Sequence, residues 1–337
     1  MKRAYTGLSS AIFSLLLGLV ASHVYAQQPP VAIAIHGGAG TLTRDAITPE
    51  QDAAYREILG RLVDLGHQKL LNGDAGLDVV VDIIQALEES PLFNAGVGAV
   101  LTWEGQHELD AAIMEGYSLR AGAVAGVKTV RSPIAAARAV MLASPHVMLA
   151  GPGAEAFANE QGLQMVDNSV FTTERRSQAL LRYKAQQQAG ITPVVDTKFG
   201  TVGVVVLDTA GNLVAGTSTG GMTGKRWGRI GDAPVIGAGT YANNASCAVS
   251  ATGHGEYFIR HQVASDICAR VQYLGVSIAI AANQVILGDL VEVGGDGGVI
   301  AVDAQGNVAM PFNTEGMYRA SIDGLGNRIV AIYGEGE

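Results

Sequence analysis

Residues 31–35 (VAIAI) form an unbroken apolar run that stops at His36-Gly37-Gly38-Ala39-Gly40. A short continuous run predicts a buried strand, and the glycines predict a turn after it. The pattern then changes to a helical period. Thr48-Pro49-Glu50-Gln51 supplies an N-cap, a proline at the first helical position and a capping-box glutamine. The helix it opens is predicted to reach about Leu71 and to stop at Asn72-Gly73. A second helix is predicted over 76–89. Short β-like segments follow at 99–103, 108–114 and 121–124, then helices near 133–141, 153–160 and 173–188. Residues 189–200 contain Gly and Pro without a helical period and read as a linker. Beyond it, 201–207 and 213–219 read as strands joined by the turn Asp208-Thr209-Ala210-Gly211-Asn212. A strand is predicted at 245–252, helices near 256–274 and 277–290, and short strands at 298–302, 308–310, 317–321 and 328–332. Strands and helices come in blocks rather than in strict alternation. That favours antiparallel sheets packed between helix layers over a parallel sheet.

The composition suits a sizeable core: 48% of residues are hydrophobic and only 16% charged. A net charge of -9 argues against a nucleic-acid partner, which calls for a basic excess. The 44 glycines cluster in pairs and triplets without a G-X-Y period. They point to tight turns and to backbone walls of a binding site.

Lys2 and Arg3, the apolar stretch 11–20 and Val24-Tyr25-Ala26 read as an export signal over residues 1–26. The exported chain is expected to be free of the membrane, and periplasmic in a Gram-negative cell or otherwise secreted. Cys247 falls in a predicted strand and Cys268 in a predicted helix. They are expected to be two buried free thiols rather than a bridge.

Several familiar chemistries do not match. Gly151-Pro152-Gly153 lacks the third glycine of a dinucleotide loop, and there is no G-x-x-x-x-G-K-[ST]. The seven histidines show no HExxH or clustered ligand spacing, and no G-x-S-x-G is present. His36, beside the glycines, reads as a hydrogen-bonded structural histidine. Gly200-Thr201-Val202-Gly203 is more suggestive. A threonine hydroxyl needs a base, and a threonine that begins a chain has its own α-amine. That amine titrates near 7.7–8.0, close to working pH. An internal Thr201 gains such an amine only if the chain is cut before it. The linker ending at Gly200 suits such a cut, and Gly200 puts no side chain in the way of attack on its carbonyl. On composition alone, Thr201 merely opens a strand.

The wider pattern adds to this. GTVGVVVLDTAGNLVAGTSTGGMTGKRWGRIGDAPVIGAGTYANNASCAVSATGHGE closely resembles plant-type (type III) asparaginases, also called isoaspartyl peptidases or β-aspartyl-peptidases. These are N-terminal-nucleophile hydrolases. HGGAG at 36–40, LEESPLFNAGVGAV at 87–100, ELDAAIMEG at 108–116 and FTTERR at 171–176 extend the resemblance over nearly the whole exported chain. It implies an α+β fold, a four-layer αββα sandwich. It also implies self-cleavage between Gly200 and Thr201 into an α subunit, 27–200, and a β subunit, 201–337, assembled as a dimer of αβ units. The expected activity is release of L-aspartate from β-aspartyl dipeptides and L-asparagine, with no catalytic cofactor.

Residue by residue, the resemblance makes Thr201 the nucleophile and Thr219 its hydrogen-bond partner. Thr252 and the Gly253 N–H match the oxyanion hole. Arg229 matches the grip on the substrate α-carboxylate and Asp232 the acceptor for its α-ammonium. Gly221 and Gly255 line the pocket. Asn94 matches a residue near the active site with a role in autocleavage. The main-chain carbonyls of Leu87, Glu88, Ser90, Phe93, Ala95 and Val97 match a structural Na⁺ loop. Two positions depart from the pattern. His254 is expected to be a solvent-facing turn residue, the alternative being a pocket-rim group with pH dependence. Trp227 is expected at the entrance for the leaving group. The sister glycosylasparaginases, and a related threonine endopeptidase, typically carry Asp before the nucleophile, where this chain has Gly200. A non-catalytic exported amino-acid or peptide-binding protein is the reading from another class.

Overall fold

The computed structural model describes residues 29–40, 43–44, 47–190 and 200–334. The expected export signal and most of the linker lie outside the described residues. In chain order the elements are β1 (Ala32–Gly40), α1 (Pro49–Leu71), α2 (Gly76–Glu88), β2 (Leu109–Glu115), β3 (Ala121–Val127), α3 (Pro133–Ala143), β4 (Met148–Ala150), α4 (Gly151–Glu160), α5 (Glu174–Gln188), β5 (Val202–Leu207), β6 (Leu213–Thr219), β7 (Thr240–Ala242), β8 (Cys247–Gly253), α6 (Gly255–His261), α7 (Val263–Ala269), α8 (Ile278–Asn283), α9 (Leu290–Glu292), β9 (Gly297–Asp303), β10 (Val308–Ala309), β11 (Gly316–Ile322) and β12 (Arg328–Tyr333). The fold is mixed, with helices and two sheets. The larger sheet has eight strands in the order β12-β11-β1-β5-β6-β2-β3-β4, and the smaller has four in the order β10-β9-β8-β7. All pairings are antiparallel except β3 with β4.

The strand sequences explain the packing. Side chains alternate faces along a strand. Ile33 and Ile35 of β1 and Val204 and Val206 of β5 join one buried cluster with Leu59 and Leu62 of α1 and Ile83 and Ile84 of α2. Their neighbours Ala32, Ala34, Val205 and Leu207 point the other way. They join a second cluster with Ala248 of β8 and Ile300 and Val302 of β9. The opposite face of the small sheet, through Val249, Ala251 and Val299, packs on Ile267 of α7 and Ile278 of α8. Strands buried on both faces carry continuous apolar runs, as 31–35 and 201–207 do.

The structure corrects several expectations. HGGAG does not turn the chain. It continues β1, paired with β11 as far as Gly40 and with β5 only as far as His36, with a bulge between His36 and Gly38. A Cβ at Gly37 would lie 2.3 Å from the Phe93 ring, so the glycine there makes room for packing. Residues 99–103 are not a strand, because their backbone is engaged elsewhere. Val100 N–H donates to Asn94 Oδ1, and Trp103 N–H donates to the Lys225 carbonyl. The helix expected at 256–274 breaks at Gln262, which is left-handed at φ 50°. The short strands β4 and β7 were not anticipated.

Cys247 and Cys268 are bridged, with Cα atoms 5.3 Å apart, which overturns the expectation of free thiols. Packing α7 onto β8 brings the two residues within bridging range. Among the described residues no helix is long and apolar enough to cross a membrane.

Candidate active site

The hairpin β5–β6 builds the centre of the site. Asp208 accepts the N–H groups of Ala210 and Asn212 in the connecting turn, which fixes the register. Val202 then faces Ser218, so Thr201 and Thr219 fall opposite each other one step further on. Their hydroxyl oxygens are 2.9 Å apart. Gly221 N–H donates to Thr219 Oγ1 at 3.0 Å, which anchors the Thr219 hydroxyl beside Thr201 Oγ1.

Asn94 ties this hairpin end to the loop after α2. Its N–H donates to the Gly200 carbonyl at 2.9 Å, polarising the peptide group that precedes Thr201. Its carbonyl accepts from Gly220 N–H, and its side chain donates to the Gly221 carbonyl and accepts from Val100 N–H. A Cβ on Gly200 would lie 2.7 Å from Asn94 Cβ, so the close approach requires glycine.

A buried relay holds the other side of Thr201. His36 Nδ1 donates to the Thr201 carbonyl at 3.0 Å. Burial pushes the His36 pKa down to about 3, against a smaller upward pull from the Thr201 bond, so the ring is neutral. Its Nε2 therefore accepts from Ser250 Oγ, 3.0 Å away. Ser250 in turn lies 2.6 Å from Thr217 Oγ1, which accepts from Thr240 Oγ1 at 2.7 Å. His36, Thr217, Thr240 and Ser250 are all fully buried. Removing one member would strand a buried partner, at about 1–3 kcal/mol.

A charged cluster sits beside the hydroxyl pair. Arg229 donates through Nε and Nη2 to the two carboxylate oxygens of Glu256, each at 2.9 Å. That side-on grip leaves Nη1 facing Gly221, where a Cβ would lie 3.6 Å away. Gly221 itself has φ +78°, a conformation that glycine adopts without strain. Asp232 is buried, and its Oδ2 has no hydrogen-bond partner. Burial pushes the Asp232 carboxyl up to about 7, opposed by Arg229. A Cβ on Gly255 would lie 2.9 Å from Asp232 Oδ1 and 3.0 Å from Arg229 Nη2. The bare backbone there lets the two charged groups pack directly against it. Lys225 and Asp110 form a buried pair alongside at 3.9 Å. A guanidinium and an orphaned carboxylate side by side match the carboxylate and ammonium of an amino-acid head group.

The family model described as Asparaginase matches residues 29–332. The chain belongs to the asparaginase family. It is 53% identical over 293 residues to the isoaspartyl peptidase of Salmonella typhimurium, covering 86% of this chain and 94% of that protein. It is 52% identical to the isoaspartyl peptidase of Escherichia coli, over 86% and 91% of the two chains. It is also 40% identical to the plant-type L-asparaginase of Pyrococcus horikoshii, over 88% and 97%.

Within this asparaginase-family chain, most of the anticipated residues meet. Thr201, Thr219, Gly200, Asn94 and Gly221 form one hydrogen-bonded group, and Arg229, Asp232 and Gly255 the adjoining charged group. Thr252, next to last in β8, is fully buried, and its Oγ1 accepts from Ala39 N–H of β1 at 3.3 Å. Gly253 follows it, packed against Gly297 and Phe258. His254 lies between two carboxylates, 3.4 Å from Glu256 and 3.7 Å from Asp296. It is a rim residue of the charged group rather than only a solvent-facing turn.

Sequence reasoning missed the roles of Glu256, Lys225, Asp110, Ser250, Thr217 and Thr240. Only Glu256 had a local signal, as an acid three residues after Gly253.

In the loop carrying Leu87, Glu88, Ser90, Phe93, Ala95 and Val97, the Leu87 and Glu88 carbonyls accept from Ser90 and Val97 N–H, and those of Glu88, Pro91 and Phe93 crowd Gly96 and Gly98. A Cβ on Gly96 would meet the Glu88 oxygen at 2.4 Å, and one on Gly98 would meet those of Pro91 and Phe93 at 2.7 and 2.9 Å. The Glu88 side chain is also buried and accepts from Ser132, Ser218 and Ile134 N–H. Burial raises its pKa to about 7.

Proposed function

We propose that the chain is an autoprocessing threonine hydrolase that releases L-aspartate from β-aspartyl dipeptides and from L-asparagine. The observation that carries the reading is the Thr201–Thr219 hydroxyl pair, 2.9 Å apart, next to a Gly200 carbonyl held by Asn94 N–H. Thr201 Oγ attacks the Gly200 carbonyl carbon and the C–N bond breaks. The acyl group passes to oxygen, and water hydrolyses the ester. Gly200 then ends in a carboxylate and Thr201 begins with an amine. In turnover that amine takes the hydroxyl proton as Oγ attacks the side-chain carbonyl of the substrate. The proton passes to the departing ammonia or amino acid, and water releases aspartate from the acyl-enzyme. Thr252 and the Gly253 N–H serve the oxyanion, where loss of one donor costs about 10²–10³ in rate. Arg229 binds the α-carboxylate and Asp232 the α-ammonium.

The finer architecture belongs to the same reading. Three hydrophobic clusters, two helix-to-sheet and one sheet-to-sheet, support four layers in the order α, β, β, α. The Cys247–Cys268 bridge suits an oxidising compartment and supports export. The carbonyls of Glu88, Pro91 and Phe93 gathered around Gly96 and Gly98 are of a kind that suits a hard alkali cation. Leu87, Glu88, Ser90, Phe93, Ala95 and Val97 would hold Na⁺ there in a structural role. Assembly as a dimer of αβ units follows the same resemblance. The test is aspartate release from β-aspartyl dipeptides by the purified protein and by Thr201→Ala. The variant is expected to stay uncut and inactive. Turnover by the variant would refute the nucleophile.

A further inference from the structure

A cleft of about 380 Å³ opens beside the charged group, lined in part by Trp103, Tyr183, Arg226, Trp227, Arg229 and Glu256. It shares Arg229 with the head-group site. It lies next to Gly221, whose N–H binds Thr219 and whose Cβ direction meets Lys225 of the cleft wall at 3.2 Å. The cleft therefore adjoins the reacting centre, and nothing in the mechanism above uses it.

Its wall is built of aromatic rings and cations. The Arg226 guanidinium lies 3.6 Å from the Trp103 ring centroid and 5.9 Å from that of Trp227. Lys184, outside the cleft lining, holds its Nζ 5.2 Å from the Trp103 ring, and Tyr183 meets that ring edge-on. Among the described residues neither Arg226 nor Lys184 forms an ion pair, although the chain carries a net charge of -9. Trp227 is 95% exposed and sits at φ 58°, a left-handed conformation that is rare for so bulky a residue. An exposed indole in a strained backbone beside an active site is a mark of ligand contact rather than of folding.

We infer that this cleft holds the leaving amino acid of a β-aspartyl dipeptide. Trp103, Tyr183 and Trp227 take an aromatic or large apolar side chain, and Arg226 takes its free α-carboxylate. The inference rests on the function proposed above. L-Asparagine, whose leaving group is ammonia, fills none of this space. The subsite therefore ranks dipeptides ending in an aromatic residue above those ending in alanine, and both above asparagine.

The test compares kcat/KM of the processed enzyme for β-aspartyl-phenylalanine, its C-terminal amide, β-aspartyl-alanine and asparagine. The acid is expected to exceed the amide, and phenylalanine to exceed alanine, each by about tenfold. Arg226→Ala is expected to bring the acid-to-amide ratio towards one. Trp227→Gly, which removes the ring and suits the left-handed backbone, is expected to do the same to the phenylalanine-to-alanine ratio. Equal kcat/KM for all four substrates, or ratios unmoved by the substitutions, would overturn the subsite while leaving the function standing. Faster cleavage of a neutral asparagine-linked sugar than of β-aspartyl-phenylalanine would overturn the carboxylate assignment. No hydrolysis of any of them would overturn the proposed function and the subsite together.

Discussion

Asp232 offers a sharp test of how the site reads its substrate. Its carboxyl is buried with one orphaned oxygen, and its pKa stands near 7 rather than in the usual carboxylate range. An ammonium can pair with it only when it is ionised. At pH 6 about a tenth of the free enzyme carries that charge, against about half at pH 7. Binding in kcat/KM is thereby cut about fivefold over that unit. The Thr201 amine, expected near 7.7–8.0, must be neutral to act as base and titrates on the same limb. The logarithm of kcat/KM should therefore approach a slope of two on the acid side. In the substrate complex the bound ammonium keeps Asp232 ionised, so kcat should show a slope of one. Asp232→Asn leaves a buried ammonium without its counter-charge, at about 3–5 kcal/mol, or on the order of 10²–10⁴ in kcat/KM. It should also reduce the slope to one. Steady-state kinetics from pH 5 to 9 on both proteins decides the matter. A slope of one in both parameters of the wild type, or an Asp232→Asn variant with unchanged KM, would refute the assignment.

Three further predictions concern neighbouring features. Gly200→Ala puts a methyl group 2.7 Å from Asn94 Cβ and pushes the carbonyl off its N–H donor. Overpacking of this kind costs about 1–3 kcal/mol, so self-cleavage should slow about tenfold to a hundredfold on a time course of intact mass; a wild-type rate would contradict it. Glu256→Gln removes the charge that holds Arg229 side-on, and KM for asparagine should rise several-fold with kcat nearly preserved, whereas an unchanged KM would show that Arg229 is positioned without it. Cys247 and Cys268 close a loop with a sequence separation of 21, worth about 3 kcal/mol. Reduction should expose two thiols and lower Tm by on the order of 5–10 °C, and free thiols before reduction would count against the bridge.

How much of this was legible in the sequence depended on how local each feature is. The hairpin carrying Thr201 and Thr219 was readable from a short turn between two apolar runs, while the meeting of their hydroxyls came only from the family resemblance. The apolar runs 31–35 and 201–207 showed strands buried on both faces. HGGAG misled, because Gly37 answers a packing demand from Phe93, far along the chain, and the segment continues a strand rather than turning. The disulfide was hidden for a similar reason, since only the docking of α7 on β8 makes the sulfurs neighbours. His36, Thr217, Thr240 and Ser250 come from β1, β6, β7 and β8 of two different sheets. No spacing rule joins them, and only the packing of one sheet on the other reveals the relay. Arg229 and Asp232 were visible as a pair three residues apart, but the clamp by Glu256 was not.

The central claim is that Thr201 becomes the first residue of a chain. The most direct measurement is the intact mass of the purified protein after incubation near pH 7, with the N-terminal sequence of each fragment. The account predicts two fragments, one ending at Gly200 and the other spanning 201–337 with threonine first. A single uncut chain that still releases aspartate, or a cut at any other peptide bond, would contradict it.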